Sequence, residues 1–177
     1  GKILAIENYI KDNIIYSEGT RYSSIKEHLK NKEIGSNGLL RLYMYMFDHN
    51  NIKYQLWATV NKTDKKFDED FESFNYLDDY YFYFPAIKKY MDMKNLGWRV
   101  GMPPSLLLGQ KSLQVKIIDM GDGISSSSYS IGMPDMPTCS ETNEKLSMEV
   151  TVNPANNKAT VKMHAEENGY QNYMRTI

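Results

Sequence analysis

The middle of the chain has a helical pattern of hydrophobic residues followed by a strand-like pattern. Apolar side chains recur at intervals of three and four residues, at Leu39, Leu42, Tyr43, Met46 and Phe47. This spacing places them on one face of a helix, and Ser36 or Asn37 is the predicted N-cap because its side-chain oxygen can accept from first-turn amides. Residues 54–60 then alternate between apolar and polar, which predicts a strand. The rest of the chain is expected to be organised around this helix and strand.

Two shorter helices are predicted before the central one. Isoleucines recur along one stripe of residues 3–15, at Ile3, Ile6, Ile10 and Ile14, which is typical of an amphipathic helix. Ser24 and Glu27 have the spacing of a capping box, which predicts a second helix ending near Lys30. Both helices are expected to pack on the central helix.

Beyond residue 60 the pattern is that of strands separated by turns and one linker. Segments 80–84 and 89–93, on either side of Pro85, and segment 113–119 are predicted strands. Residues 121–140 are rich in Gly, Ser and Pro, and we interpret them as a linker.

The last part of the chain has the pattern of a β-hairpin. Segments 146–152 and 158–165 alternate between apolar and polar residues, and the polar segment 153–157 joins them as a turn. Two strands alone are marginally stable in water. The hairpin is therefore expected to dock on the rest of the chain or to belong to a larger sheet.

Composition and charge argue against several functions. The 177 residues have a net charge of -1 and no dense stripe of Lys and Arg, so nucleic-acid binding is not predicted. No apolar run approaches the roughly 18 residues that a membrane helix needs. The single cysteine, Cys139, and the histidines His28, His49 and His164 do not have the spacing of a zinc site. We therefore expect no metal, no cofactor and no membrane insertion.

The order of these elements and short motifs resembles a known family. The central helix and its strand are followed by Phe74-Asn75-Tyr76, a strand ending in Tyr90-Met91-Asp92, the triplet Gly101-Met102-Pro103 and Gly109. In this order residues 3–119 resemble the transglutaminase-like domain of the papain-like cysteine enzyme superfamily, as found in bacterial multi-domain proteins between β-sandwich domains.

The resemblance implies an α+β fold in which a central helix packs on an antiparallel sheet. It implies a transglutaminase-like domain at residues 1–120, a linker at 121–140 and, at 141–177, a β-hairpin that begins a C-terminal β-sandwich domain.

The resemblance also implies a catalytic triad, which this sequence lacks. In the family a Cys begins the central helix, a His begins a later strand and an Asp ends the strand after it. The matching positions here are Ser36, Tyr76 and Asp92, so only the Asp is kept. No Cys precedes residue 139, and no His lies between residues 49 and 164. A Ser hydroxyl without an adjacent base is a poor nucleophile at neutral pH.

The predicted function is therefore that of a catalytically inactive transglutaminase-like domain. It would act as a binding or scaffold module for a peptide, a polysaccharide or neighbouring β domains. By the same resemblance, the parent protein is expected at the periplasm or cell surface of a bacterium. The alternatives are an active hydrolase or acyltransferase that uses Ser36 with another base, and a spacer without a ligand groove.

Overall fold

The described residues form three helices and nine strands, which places the chain in the predicted α+β class. The computed structural model describes residues 1–20, 24–70, 76–102, 105–119, 125–134 and 143–168. The chain divides into two compact units, Gly1–Met136 and Pro137–Ile177. The helices are α1 (Lys2–Asn13), α2 (Ile25–Asn31) and α3 (Ser36–His49). The strands are β1 (Ile15–Tyr16), β2 (Glu33–Ile34), β3 (Gln55–Thr59), β4 (Asp79–Phe84), β5 (Lys89–Asp92), β6 (Ser112–Asp119), β7 (Ser125–Gly132), β8 (Asn143–Asn153) and β9 (Lys158–Asn168).

A five-stranded antiparallel sheet forms the centre of the first unit. Its strand order is β5-β4-β3-β6-β7, and β1 and β2 form a separate short parallel pair. Strand β7 lies within residues 121–140, so the linker prediction is wrong for this stretch. All eight of its residues pair with β6, although four consecutive serines give it the composition of a loop. In the second unit β8 and β9 form the predicted hairpin.

Helix α3 packs on this sheet through the face that the sequence predicts. Leu39, Leu42, Tyr43 and Phe47 are all buried, in one cluster with residues of β3, β4 and β5. The predicted central helix and its partner strand are therefore confirmed. Burial of these side chains stabilises their packing, because hydrophobic burial is the dominant favourable term in folding.

Helix α1 is shorter than predicted but buries the predicted stripe. Ile6, Ile10 and Ile14 belong to the same core cluster as α3. The helix ends at Asn13, because Ile15 and Tyr16 pair in parallel with Glu33 and Ile34. Helix α2 is also confirmed: the Ser24 hydroxyl caps it by accepting from the Glu27 amide at 3.3 Å.

A buried ion pair on α1 holds the segment that follows β5. Lys11 Nζ donates to Glu7 Oε1 at 2.9 Å and to the carbonyl oxygens of Asp92 and Trp98 at 2.8 and 2.6 Å. Glu7 Oε2 accepts from the Val100 amide at 2.7 Å. Burial lowers the pKa of Lys11, and the attraction of Glu7 opposes that shift. Both charges are removed from water. Their bond to each other and their bonds to the backbone of residues 92–100 compensate for this lost hydration.

Replacing Lys11 with methionine is expected to destabilise the protein strongly. Lys11→Met leaves the Glu7 carboxylate buried without its cation, and breaking a buried pair in this way costs about 3–5 kcal/mol. Urea unfolding at pH 7 measures the loss. Lys2→Met, at an exposed position of the same helix, is the control and should change the free energy of unfolding little. Equal effects of the two variants would contradict the prediction.

Candidate functional site

Ser36 is the first residue of α3, and its hydroxyl does not cap the helix. The N-cap residue is Gly35 and no side chain makes a capping hydrogen bond, so the predicted N-cap at Ser36 or Asn37 is wrong. Ser36 Oγ instead shares a hydrogen bond of 2.8 Å with the Tyr16 hydroxyl. Strand β1 places Tyr16 there, so the serine is held by a residue twenty positions earlier in the chain.

Tyr76 lies just before β4 and anchors the loop that follows β3. Its hydroxyl donates to the Lys66 carbonyl oxygen at 2.6 Å, and Lys65 Nζ lies 4.9 Å from the centre of its ring. The ring packs on a small cluster that contains Phe67 and Leu77. These contacts give Tyr76 a structural role in the loop. Asn75, which the resemblance pairs with it, lies outside the described residues.

Asp92 ends β5 and is almost completely buried, with 1% of its surface exposed. Its Oδ1 accepts from the Lys94 amide at 3.0 Å, and its Oδ2 accepts from the side-chain amide of Asn95. Burial raises the pKa of Asp92, while Asn95 and the positive charge of Lys11 act in the opposite direction. The carboxyl group therefore stabilises the turn after β5.

Ser36 lines one of two neighbouring clefts, and its hydrogen-bond partner Tyr16 lines the other. The first has a volume of about 480 Å³ at the N-terminus of α3, and Ser36, Arg41 and His28 lie in its walls. The second has a volume of about 720 Å³. Tyr16, which bonds to Ser36, lines the second cleft, and Glu18 lines both. The surface around Ser36 is therefore concave, as a ligand groove requires.

The second cleft is lined by the residues that follow Asp92 and by several carboxylates. Lys94, Asn95 and Trp98 are among its walls, together with Asp78 and Asp79. Lys94 Nζ donates to Asp79 Oδ1 at 3.1 Å and to the Asp78 carbonyl oxygen at 2.6 Å. Burial opposes the charged form of Lys94, but its interactions with Asp79, Tyr16 and Asp78 together outweigh that effect and raise the pKa of the lysine. Lys94 is therefore an ammonium group at neutral pH and not a general base.

His28 is the residue near Ser36 that sequence reasoning missed. Its Nδ1 donates to the Glu33 carbonyl oxygen at 2.9 Å, which in the neutral ring leaves the lone pair on Nε2. That Nε2 faces the first turn of α3, where a Cβ added to Gly38 would lie 2.7 Å from it. The sequence placed His28 on a separate helix, and only the packing of α2 on α3 brings the imidazole into the cleft of Ser36.

Three further candidate features of the sequence are a metal site, a membrane helix and Cys139. Among the described residues, no group of three or more His, Cys, Asp and Glu side chains is arranged to hold a metal ion. Within the same residues, no helix is long and apolar enough to cross a membrane. Cys139 lies outside the described residues.

Comparisons with family models, with curated proteins and with solved structures find no match to this chain. The resemblance to the transglutaminase-like domain therefore stays a prediction from the sequence.

Substituting Gly38 is expected to destabilise the protein although alanine favours helices. The added Cβ of Gly38→Ala would meet His28 Nε2 at 2.7 Å and Ile34 Cγ1 at 2.8 Å, and both neighbours are buried. Overpacking of this kind costs about 1–3 kcal/mol, more than the roughly 1 kcal/mol gained in helix propensity. Chemical denaturation measures the change, with the exposed Asn37→Ala as the control. An increase in stability would show that the contact with His28 adjusts freely.

The raised pKa of Asp92 predicts a pH-dependent difference between wild type and Asp92→Asn. Since the folded state favours the protonated acid, ionisation costs stability as the pH rises from the ordinary value of 3.8 through the folded pKa. Asparagine cannot ionise, so the stability of wild type relative to the variant should fall across that window. Urea unfolding at a series of pH values measures it, with the exposed Asp64→Asn as the control. A difference independent of pH would contradict the assignment.

Proposed function

We propose that the first unit is a catalytically inactive transglutaminase-like domain that acts as a binding module. The order of its elements supports this: Ser36 begins the helix that packs on the sheet, and Asp92 ends a sheet strand. These are the places that the resemblance gives to the family's nucleophile and closing acid. The same resemblance implies an exported multi-domain bacterial protein.

The hydrogen bond between Ser36 and Tyr16 is the observation on which this proposal rests. A serine nucleophile needs a neighbouring base that accepts its proton. The partner at 2.8 Å is a phenol, which is a weak base at neutral pH. The helix N-terminus contributes only about 0.3–1 kcal/mol to an adjacent negative charge, far too little to ionise an alcohol.

The concave surface favours a binding module over a simple spacer. A spacer would need no groove, whereas Ser36 lines a cleft of about 480 Å³ and its partner Tyr16 lines one of about 720 Å³. The second cleft is lined by an indole, Trp98, and by the charged side chains of Lys94 and Asp79. A mixture of apolar and polar groups is found in ligand-binding sites generally. We propose that the ligand is a peptide or a polysaccharide.

A trapping experiment with a Gln-donor peptide tests the absence of catalysis. The protein is incubated with the peptide without an amine acceptor, and intact-mass spectrometry measures any acyl group that stays on the protein after ammonia has left the Gln amide. We expect no adduct, and a panel of esters and amides should be hydrolysed at the same background rate by wild type and Ser36→Ala. An adduct on Ser36, or hydrolysis abolished by Ser36→Ala, would overturn the proposal.

Binding is tested separately from catalysis. Peptide and oligosaccharide arrays should give ligands whose affinity falls on Trp98→Ala, because this change removes the indole from the wall of the second cleft. Ile87→Ala, at an exposed position in the turn between β4 and β5, is the control. Retention of every ligand by the Trp98 variant would place binding elsewhere.

The position of His28 favours one alternative, a hydrolase that uses Ser36. Its Nδ1 is fixed by the Glu33 carbonyl oxygen, and it lines the same cleft as the serine. In this alternative Nε2 takes the proton of Ser36 as Oγ attacks the ester carbonyl and gives it to the alcohol that leaves. Water then hydrolyses the acyl-serine, which releases the acid and restores the hydroxyl. Activity lost in both Ser36→Ala and His28→Gln, but kept in the exposed His49→Gln, would favour the hydrolase over the binding module.

A further inference from the structure

A third cleft of the first unit lies at the far end of α3 from Ser36 and has a volume of about 800 Å³. It forms where two neighbouring strands separate: the pairing of β3 with β6 ends at Leu56 and Val115, whereas β6 continues beside β7. Small-molecule sites have volumes of roughly 300–1,000 Å³. The cleft is therefore large enough for a ligand, and neither the proposed function nor the hydrolase alternative uses it.

The chain turns from the end of α3 into this cleft through a pair of backbone hydrogen bonds. Asn51 has a positive φ of 55°, and its amide donates to the Asp48 carbonyl oxygen at 3.0 Å. The Ile52 amide donates to the Phe47 carbonyl oxygen at 2.9 Å. This is the Schellman arrangement, which satisfies carbonyl oxygens at the end of a helix. It brings Ile52 into the wall of the cleft, and it occupies two carbonyl oxygens whose partial negative charge would repel an anion.

One wall of the cleft is apolar and only partly covered by the fold. Leu56 is buried, while Met44, Ile52 and Val115 are half-buried. All four line the cleft and pack in the core cluster beneath it. An apolar chain that lies on this wall removes from water the surface that the fold leaves exposed, which is favourable.

The charged groups of the cleft favour a negatively charged ligand. Two exposed lysines, Lys53 and Lys116, line it, and within the described part of the chain neither ammonium group has a hydrogen-bond or ion-pair partner. The one carboxylate among the described lining residues is that of Asp48, which accepts from the Tyr54 hydroxyl at 3.4 Å. The lining therefore has an excess of positive charge, and its carboxylate already has a partner.

The two glutamines of the cleft add hydrogen-bond donors. Gln114 Oε1 accepts from the Ser130 hydroxyl at 3.2 Å, which leaves the two N–H groups of this side chain to donate. Gln55 also lines the cleft, with a second side-chain amide. Donors thus outnumber the acceptors that a ligand would meet, as in a site that recognises anionic oxygens.

We propose that this cleft binds a small amphiphile with an apolar chain and an anionic oxygen head group, either a carboxylate or a phosphate. The chain lies on the apolar wall, and the head group accepts from Lys53, Lys116 and the glutamine amides. Both parts of the ligand are required. A neutral chain leaves the two lysines without an anion, and a free anion leaves the apolar wall in water. The site is separate from the clefts of Ser36 and Tyr16 and does not depend on their function.

Titration of the whole chain with simple amphiphiles, followed by heteronuclear NMR, tests both parts of the ligand. Decanoate should bind with a dissociation constant of about 1 mM or lower and should shift the amide signals of the residues that line the cleft. Dodecanoate should bind about tenfold more tightly, because each buried methylene contributes a factor of about four. Decyltrimethylammonium, which has the same chain length as decanoate but a cationic head, should bind at least about tenfold more weakly. Decyl phosphate distinguishes the two head groups.

Paired substitutions of exposed lysines test the role of the charges. The double variant Lys53→Gln, Lys116→Gln should raise the dissociation constant of the tighter anionic amphiphile about fivefold at low salt. Lys26→Gln, Lys30→Gln removes the same two charges from exposed positions of α2 and should leave that constant within about twofold of wild type. Trp98→Ala should not change it either. The proposal is overturned if neither decanoate nor decyl phosphate shifts the amide signals of the cleft, if the cationic amphiphile binds as tightly, or if the two double variants have equal affinities.

Discussion

The first unit depends on the packing of Phe47 between helix α3 and the sheet. Its ring lies 5.2 Å from that of Phe82, 5.1 Å from that of Phe84 and 5.6 Å from that of Tyr54, and the first two meet it edge to face. The residue is completely buried. Edge-to-face pairs are directional, so these contacts fix the rotation of the helix as well as its distance from the sheet. Ser36 lies eleven residues earlier on the same rigid helix, about 16 Å along its axis, so this packing also determines where the serine is placed.

A polar interaction holds in place the segment that follows β5. The Lys11 ammonium group donates to the carbonyl oxygens of Asp92 and Trp98 and thereby ties α1 to the segment after β5. That segment supplies Lys94, Asn95 and Trp98 to the second cleft. Hydrophobic contacts do not distinguish one arrangement of a loop from another closely related one. Directional bonds to a buried charge do, because any other arrangement leaves the charge without partners.

The sequence predicted the elements that depend on local periodicity and missed those that depend on pairing. Helix α3 and strands β3 to β6 have recognisable apolar patterns, and α3 and β3 to β5 contribute buried side chains to the core clusters. Strand β7 has the composition of a linker, yet it pairs with β6 along its whole length. An edge strand needs backbone partners on one side only, so serines are tolerated there. Strands β1 and β2, with two residues each, are too short for any period to be visible.

The candidate site was predictable only in part for the same reason. The pattern predicted that α3 begins close to Ser36 and that a strand covers residues 89–93, and the structure begins α3 at Ser36 and ends β5 at Asp92. The contacts of Ser36 with Tyr16, and of His28 with the first turn of α3, join elements that only the tertiary packing brings together. The partners of a side chain determine its chemistry, so the chemistry was less predictable than the scaffold.

The contacts that stabilise the fold are different from those that would determine a reaction at Ser36. Burial of Phe47 and the bonds of Lys11 do not involve the side chain at position 36 or the nature of its neighbours. A thiolate beside an imidazole and a serine beside a phenol can occupy the same helix start at similar structural cost, since both are small polar groups at a partly exposed N-terminus. Only the acidity of the nucleophile and the basicity of its partner differ, and these quantities set the rate of acyl transfer. The architecture around Ser36 is therefore compatible with more than one pairing of nucleophile and base.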